Sequence, residues 1–312
     1  MIGLAQVYVF AGLVFAGFAL RSVFDASNSR RWGNAAFWGL LALSMLAGDR
    51  LGDLGNGVLV LGLVAIAGLG GLGRGKAGDD AAERQARADR HGNSLFLLAL
   101  VIPFTALAGT FLFKLVPDLV DPKQVTLVSL ALGTVLALAI GLVWLRERPV
   151  VPLEEGRRLV DAVGWAAILP QMLASLGAVF ALAGVGKVVG ALMTLVIPDG
   201  SLIAAVVAYC LGMALFTMVM GNAFAAFPVI AAAIGLPLLI QHYHGDPAVV
   251  AAVGMLAGFC GTLMTPMAAN FNIVPAALLE LKDRNAVVKA QVPTALPLLA
   301  FNIALIWCAA FP

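Results

Sequence analysis

Long apolar runs alternate with short polar segments along the first half of the chain. The runs of membrane-spanning length cover residues 2–20, 33–48, 56–72, 94–116 and 124–145. A transmembrane helix needs about 20 consecutive apolar residues, whereas a transmembrane strand needs only about 9–11 alternating ones. The pattern therefore predicts an all-α, polytopic membrane protein whose residues 1–145 form a scaffold-like bundle of five helices.

The second half, residues 146–312, is equally apolar but is interrupted by Gly, Pro and small polar residues. Gln171 near the start and several Gly residues near the end predict a re-entrant hairpin over 164–190. Further interruptions predict broken helices over 201–235 and 248–281, before a last helix at about 293–310. We therefore expect a transport-like half with discontinuous helices.

Helix breakers at membrane depth need a reason, because Pro costs about 3 kcal/mol and Gly about 1 kcal/mol inside a helix. Irregular backbone survives there only inside protein or beside a water-filled cavity. Half-helix N-termini favour anions and C-terminal carbonyls favour cations, and secondary transporters use both near the membrane midplane. The breaks therefore predict a site for substrate and ion.

The candidate residues are the polar and small residues at the breaks. The substrate- or ion-binding candidates are Gln171, Ser175, Gly221, Asn222, Gly261, Thr262, Thr265, Pro266, Asn270 and Asn272. A transported Na⁺ is expected at Asn222 and Thr265. Small polar residues also form hydrogen bonds between helices in membrane bundles, and that interpretation stays open for each of them.

Composition and charge placement agree with a membrane protein. The chain is 62% hydrophobic and 12% charged, against about 45–50% and about 25% in ordinary soluble domains. Segments 21–32, 73–93 and 146–158 carry three, five and four Lys or Arg, and the segments between them carry one and two. This bias places the three charged loops in the cytoplasm and the N-terminus outside the inner membrane. The net charge of +2 is too small to indicate nucleic-acid binding.

Enzymatic chemistry lacks its usual residue patterns. Cys210, Cys260 and Cys308 are widely spaced in apolar stretches, which gives no disulfide framework or metal motif. No Ser/His or HExxH arrangement is present, so we expect no enzyme and no cofactor other than a coupling ion. The stretch "GLGGLGRG" follows a helix instead of a strand, which favours close packing or a flexible exit over phosphate binding. Asp161 is interpreted as an interfacial residue or a group for proton coupling.

Three stretches carry a family resemblance. "AAILPQMLASLGAVFALAGVG", "MGNAFAAFPV" and "CGTLMTPMAANFN" resemble an uncharacterised bacterial inner-membrane permease family of the ion-transporter superfamily. The resemblance implies inverted repeats, elevator-type movement and a second, smaller membrane protein as partner. It also implies transport of a small carboxylate, with 5-oxoproline as the best guess. The chain has no Ser-Asn-Thr tripeptide, so coupling to Na⁺ or to H⁺ remains open.

These observations predict a subunit of an ion-coupled secondary transporter, working as an oligomer in the lipid bilayer. Clear interruptions lie only in the second half, whereas an inverted-repeat carrier needs two such halves. We therefore expect the partner subunit to supply the other half. The alternative is a membrane scaffold or accessory subunit that does not itself transport.

Overall fold

The computed structural model describes residues 1–75, 86, 88–116, 118–193, 200–279 and 281–311. Over these ranges every regular element is a helix, apart from an isolated bridge between Ile2 and Val120. The chain divides into two units, Met1–Gly164 and Trp165–Pro312. The boundary follows residue 164 instead of the predicted 145, because the segment after 145 packs on the first unit.

Five α-helices longer than ten residues are described in the first unit. They are α1 (Leu4–Phe24), α2 (Arg31–Gly68), α3 (Leu95–Leu112), α4 (Val125–Leu145) and α5 (Val151–Val163). Aromatic stacking between Phe15 and Trp38, with ring centroids 5.8 Å apart, joins α1 to α2. The predicted helices at 94–116 and 124–145 are confirmed as α3 and α4.

The element α2 is a pair of antiparallel arms. The backbone leaves helical geometry at Gly52, where φ is +63°, and Gly62 faces Leu40 across the two arms. Asn56 Nδ2 donates to the carbonyls of Gly48 and Gly52 at 2.9 and 3.0 Å. The two separate helices predicted at 33–48 and 56–72 are therefore confirmed, with a tight turn between them.

The described parts of the three charged segments meet at one end of the first unit. Asp25 pairs with Arg157 at 2.8 Å, and Arg74 Nη2 donates to the Ala162 carbonyl at 2.8 Å. Asn34 exchanges hydrogen bonds with Gly73, donating at 2.8 Å and accepting at 2.9 Å. The glycine-rich stretch is thus held by close packing. This shared end matches the Lys and Arg bias, while the membrane orientation stays a prediction.

One of those segments differs from a simple loop. The prediction of a loop over 146–158 is wrong from Val151 onward, because this stretch begins the amphipathic helix α5. Its charged residues form ion pairs along one side of the helix, including Arg158 with Glu155 at 2.7 Å. Most of the segment 73–93 lies outside the described residues.

The second unit contains α6 (Leu169–Leu182), α7 (Val185–Met193), α8 (Leu202–Met220) and α9 (Ala223–Ile230). The π-helical stretch Ala231–His242 continues α9. The element α10 (Pro247–Leu263) follows, then a π-helical turn Ala269–Ile273, α11 (Val274–Leu278) and α12 (Ala286–Ala309). The last helix begins earlier than residue 293, because Pro293 and Pro297 lie within it.

Glycines allow close approach in this unit. The buried Tyr209 of α8 packs against Gly235 and Gly254 from the two following helices. Its hydroxyl donates to the Val250 carbonyl at 3.2 Å. Small residues let helix backbones approach closely, which is the usual basis of helix association in membranes.

The helices α6 and α7 form a pair bent by 70° at a break that includes Gly184, where φ is +71°. Gly186 and Gly190 pack one helical turn apart against the carbonyls of Val229 and Ala233. A β-carbon at either glycine would lie 2.9 Å from that oxygen. The predicted interruption within 164–190 is therefore present. The axes of the two helices differ by 70°, so the helices do not run antiparallel. Both a broken membrane span and a re-entrant loop have this shape.

Seven helical elements of the described chain, with α2 counted as one, are long and apolar enough to cross a membrane, and the bent pair raises the number to eight. These helices support a multi-pass membrane protein. Each of the two units contributes several of them.

Candidate functional site

The Gly221–Asn222 interruption is a hairpin turn. Gly212 of α8 faces Ile230 and Ile234, and Gly235 faces Tyr209, so α8 and the helix after it run antiparallel. These helices have 19 and 20 residues, about 28–30 Å each. The chain break is confirmed, but the prediction of one helix broken at mid-depth over 201–235 is wrong. Each helix is long enough to cross the hydrocarbon core, so the turn lies at their ends.

Gly221 is required by its conformation and its surroundings. Its φ is +71°, in the left-handed region that favours glycine. A β-carbon here would overlap the carbonyl of Met267. The amide of Gly221 donates to the Thr217 carbonyl at 2.7 Å and ends α8. The turn therefore packs directly on the second break.

Asn222 caps the following helix. Its side-chain oxygen accepts from the Phe224 amide at 2.8 Å, which satisfies one of the free amides at the start of α9. The positive end of this helix is therefore covered by its own chain. A substrate carboxylate at this position would have to replace the Asn222 oxygen.

The second interruption, residues 264–268, separates α10 from the π-helical turn. Thr265 Oγ1 donates to the Met218 carbonyl at 2.8 Å and accepts from the Met267 amide at 3.2 Å. Carbonyls in the last turn of a helix lack helical partners, so Thr265 satisfies such a carbonyl on α8. The discontinuity predicted within 248–281 is confirmed.

Asn272 links the π-helical turn to the second break and to the end of α10. Its side chain is 1% exposed, and Nδ2 donates to the carbonyls of Thr262 and Thr265 at 2.9 and 2.6 Å. Both donor hydrogens are thereby used. Its Oδ1 has no hydrogen-bond partner in the part of the chain that the structure describes. A buried hydrogen-bond acceptor beside the end of α10 is thus left without a donor among the described residues.

Thr217 is a functional candidate that sequence reasoning missed. It is fully buried on α8, and its Oγ1 has no partner among the described residues. A β-carbon on Gly258 would lie 3.3 Å from that oxygen, so the hydroxyl faces α10. The sequence feature that could have identified it is a threonine one helical turn before Gly221, among apolar residues.

The remaining predicted residues make local contacts or are exposed. Thr262 Oγ1 bonds back to the Phe259 carbonyl at 2.6 Å, and Gly261 packs against the Ala214 backbone. Gln171, Ser175, Pro266 and Asn270 are exposed. Ser175 Oγ donates to the Gln171 carbonyl in its own helix at 3.0 Å.

We call the set Thr217, Gly221, Asn222, Thr262, Thr265 and Asn272 the helix junction.

The helix junction is rich in oxygen and poor in free donors. The last carbonyls of α8 and α10 carry the partial negative charge of helix C-termini. Within the described residues, no group of three or more His, Cys, Asp or Glu is placed to hold a metal ion. Neutral oxygens are therefore what this junction offers, and they suit a hard cation such as Na⁺ better than a transition metal.

Comparison with known proteins gives one match. Residues 5–311 match the family described as "Protein of unknown function (DUF979)". No curated protein and no solved structure matches the chain. Because the match covers nearly the whole sequence, the chain belongs to the DUF979 family, here with a multi-pass, all-helical fold.

Proposed function

We propose that the protein is a subunit of an ion-coupled secondary transporter for a small carboxylate, and that the helix junction binds the coupling cation. The supporting observation is the pair of buried oxygens, Asn272 Oδ1 and Thr217 Oγ1, that lack partners beside two helix C-termini. The sequence resemblance supports 5-oxoproline as substrate, an elevator-type movement and a second small membrane subunit.

The energetic argument concerns the open acceptors. A buried polar group without a hydrogen bond costs about 1–3 kcal/mol. Na⁺ coordinated by Asn272 Oδ1 and nearby carbonyls would remove that cost. Unwound backbone and half-helix C-termini coordinate ions in this way in secondary transporters. The junction therefore supports a cation more directly than a carboxylate.

The test is uptake of labelled 5-oxoproline into proteoliposomes, with and without the second, smaller membrane protein that the resemblance implies as partner. Separate Na⁺ and H⁺ gradients identify the coupling ion. We expect uptake to need a Na⁺ gradient and both chains. Absence of uptake for 5-oxoproline and for other small carboxylates, under either gradient, would refute the transport function.

Two nearby asparagines provide a matched pair of variants. Asn272→Ala removes the buried open oxygen, whereas Asn270→Ala removes an exposed carboxamide two residues away. We expect Asn272→Ala to raise the Na⁺ concentration needed for half-maximal uptake and Asn270→Ala to leave it unchanged. Equal Na⁺ dependence in both variants and wild type would place the coupling ion elsewhere.

A second candidate function is a membrane scaffold or accessory subunit. It is favoured by the internal hydrogen bonds of the junction. Thr265 Oγ1 joins the second break to α8, Asn272 Nδ2 joins the π-helical turn to the end of α10, and Asn222 Oδ1 caps its own helix α9. In that case Thr265→Val would reduce co-purification with the partner in proportion to uptake. Retained co-purification with lost uptake would favour the transporter.

A further inference from the structure

One arginine lies between a buried and a partly buried carboxylate at the charged end of the first unit. Arg157 Nη1 is 2.8 Å from Asp25 Oδ2 and 2.9 Å from Asp161 Oδ2. The side chains of Arg157, Asp25 and Asp161 are 15%, 11% and 3% exposed. Two acids thus share one guanidinium, so the charges of these three side chains sum to one negative charge when both acids are ionised.

Asp161 faces neutral donors from α2. The indole Nε1 of the fully buried Trp38 donates to Asp161 Oδ1 at 2.8 Å, and the polar side chain of Asn34 favours the ionised form of the same carboxylate. These bonds hold α5 against α2. We call Asp25, Asn34, Trp38, Arg157 and Asp161 the carboxylate cluster.

The other charged groups around the carboxylate cluster have partners of their own. Arg21 of α1 pairs with Glu154 of α5, and both are partly exposed. Arg74 donates to the Ala162 carbonyl, and Arg158 pairs with Glu155. Among the described residues, Arg157 is therefore the cation paired with Asp161.

The two carboxylates have different environments. Burial acts to raise the pKa of Asp25, but hydrogen bonds from Ser27 and the charge of Arg157 bring it below its usual value. Burial raises the pKa of Asp161 and outweighs the hydrogen bond from Trp38 and the charge of Arg157. When the environments of two neighbouring acids move their pKa values apart, the acid with the raised pKa binds a proton while the other stays ionised.

We propose that Asp161 is a proton-binding site of the first unit, where one proton from solvent neutralises the carboxylate cluster and leaves Arg157 paired with Asp25. An O–H bond forms on one Asp161 oxygen as an O–H bond of a solvent hydronium ion breaks and leaves water. The neutral carboxyl keeps an oxygen for the Trp38 indole but loses its charge pairing with Arg157. This inference does not depend on the proposed transport function or on the helix junction.

Infrared difference spectroscopy of the full chain in lipid nanodiscs tests this directly. With ¹³C-labelled aspartate, the C=O band of a protonated aspartate should rise as pH falls, with a midpoint above the usual value of 3.8. Asp161→Asn should remove that band. A wild-type chain without any such band, or a band unchanged in Asp161→Asn, would overturn the proposal.

Asp25→Asn is the matched control, because it makes the same chemical change on the other side of Arg157. It leaves Arg157 with Asp161 alone, so the band should persist and its midpoint should move to lower pH. An unmoved midpoint would show that the titrating aspartate does not share Arg157, which also overturns the proposal. This second measurement holds even if Asp161→Asn does not fold.

Discussion

The Thr265 hydroxyl donates to the Met218 carbonyl at 2.8 Å, across 47 positions of sequence. This bond ties the end of α8 to the break after α10. It satisfies a helix-end carbonyl that would otherwise be buried without a partner. The junction is therefore held by side-chain hydrogen bonds as well as by glycine packing.

Thr265→Val should destabilise the protein by about 1 kcal/mol or more, because it removes the donor at nearly constant volume. Thr134→Val is a suitable control, since Thr134 is exposed and bonds back to the Leu130 carbonyl of its own helix. The midpoint of thermal unfolding in detergent measures both. Equal midpoints for the two variants would contradict a structural role for the Thr265–Met218 bond.

Gly221→Ala should be more damaging than Gly184→Ala. Both glycines have φ of +71°, and a left-handed backbone costs a non-glycine residue about 1–2 kcal/mol. Only Gly221 also faces a backbone carbonyl, whereas Gly184 has nothing within 4 Å of an added β-carbon. Unfolding midpoints should fall in that order. A reversed order would show that Met267 moves aside easily.

Gly190→Ala should disturb the contact between α7 and the helix after α9. The added carbon would lie 2.9 Å from the Ala233 carbonyl oxygen, closer than real β-carbons approach. Gly57→Ala is the control, because an added β-carbon there has nothing within 4 Å, and alanine favours helix by about 1 kcal/mol. We expect a lower unfolding midpoint for Gly190→Ala and an unchanged or higher one for Gly57→Ala.

The two cluster aspartates should affect stability with opposite pH dependence. Because the pKa of Asp161 is raised on folding, its contribution is complete below the ordinary value of 3.8 and is lost as pH rises through the folded pKa. Wild type should therefore lose stability relative to Asp161→Asn as pH rises through that window. Unfolding midpoints measured across it would show a constant difference if the pKa were not raised.

Asp25 should behave in the other direction. Its pKa is lowered on folding, so its contribution is present above 3.8 and is lost as pH falls through the lower folded value. At neutral pH, Asp25→Asn should have a lower unfolding midpoint than wild type. The difference should shrink on acidification below 3.8. A difference that grows on acidification would contradict the lowered pKa.

Several features of the fold follow from local sequence. Apolar length alone predicts α1, α3, α4 and α8, because a helix needs about 20 apolar residues to cross the hydrocarbon core. Gly221–Asn222 and Thr265–Pro266 predict chain breaks, because these residues end or cap helices wherever the helices pack. The Lys and Arg bias likewise predicts that segments 21–32, 73–93 and 146–158 share one side.

Tertiary packing determines what each break does. Hydropathy cannot distinguish one helix broken at mid-depth from two helices joined by a turn. Here Tyr209 packs against Gly235, which shows that two antiparallel helices are joined by a turn. Tertiary packing also buries Asn272, whereas Asn270, two residues earlier, is exposed. The environment of a small polar side chain depends on which distant helix lies across from it. Thr217 and Asp161 therefore depend on Gly258 and Trp38, which are remote in sequence, whereas Asn272 depends on how the break folds it back onto Thr262 and Thr265.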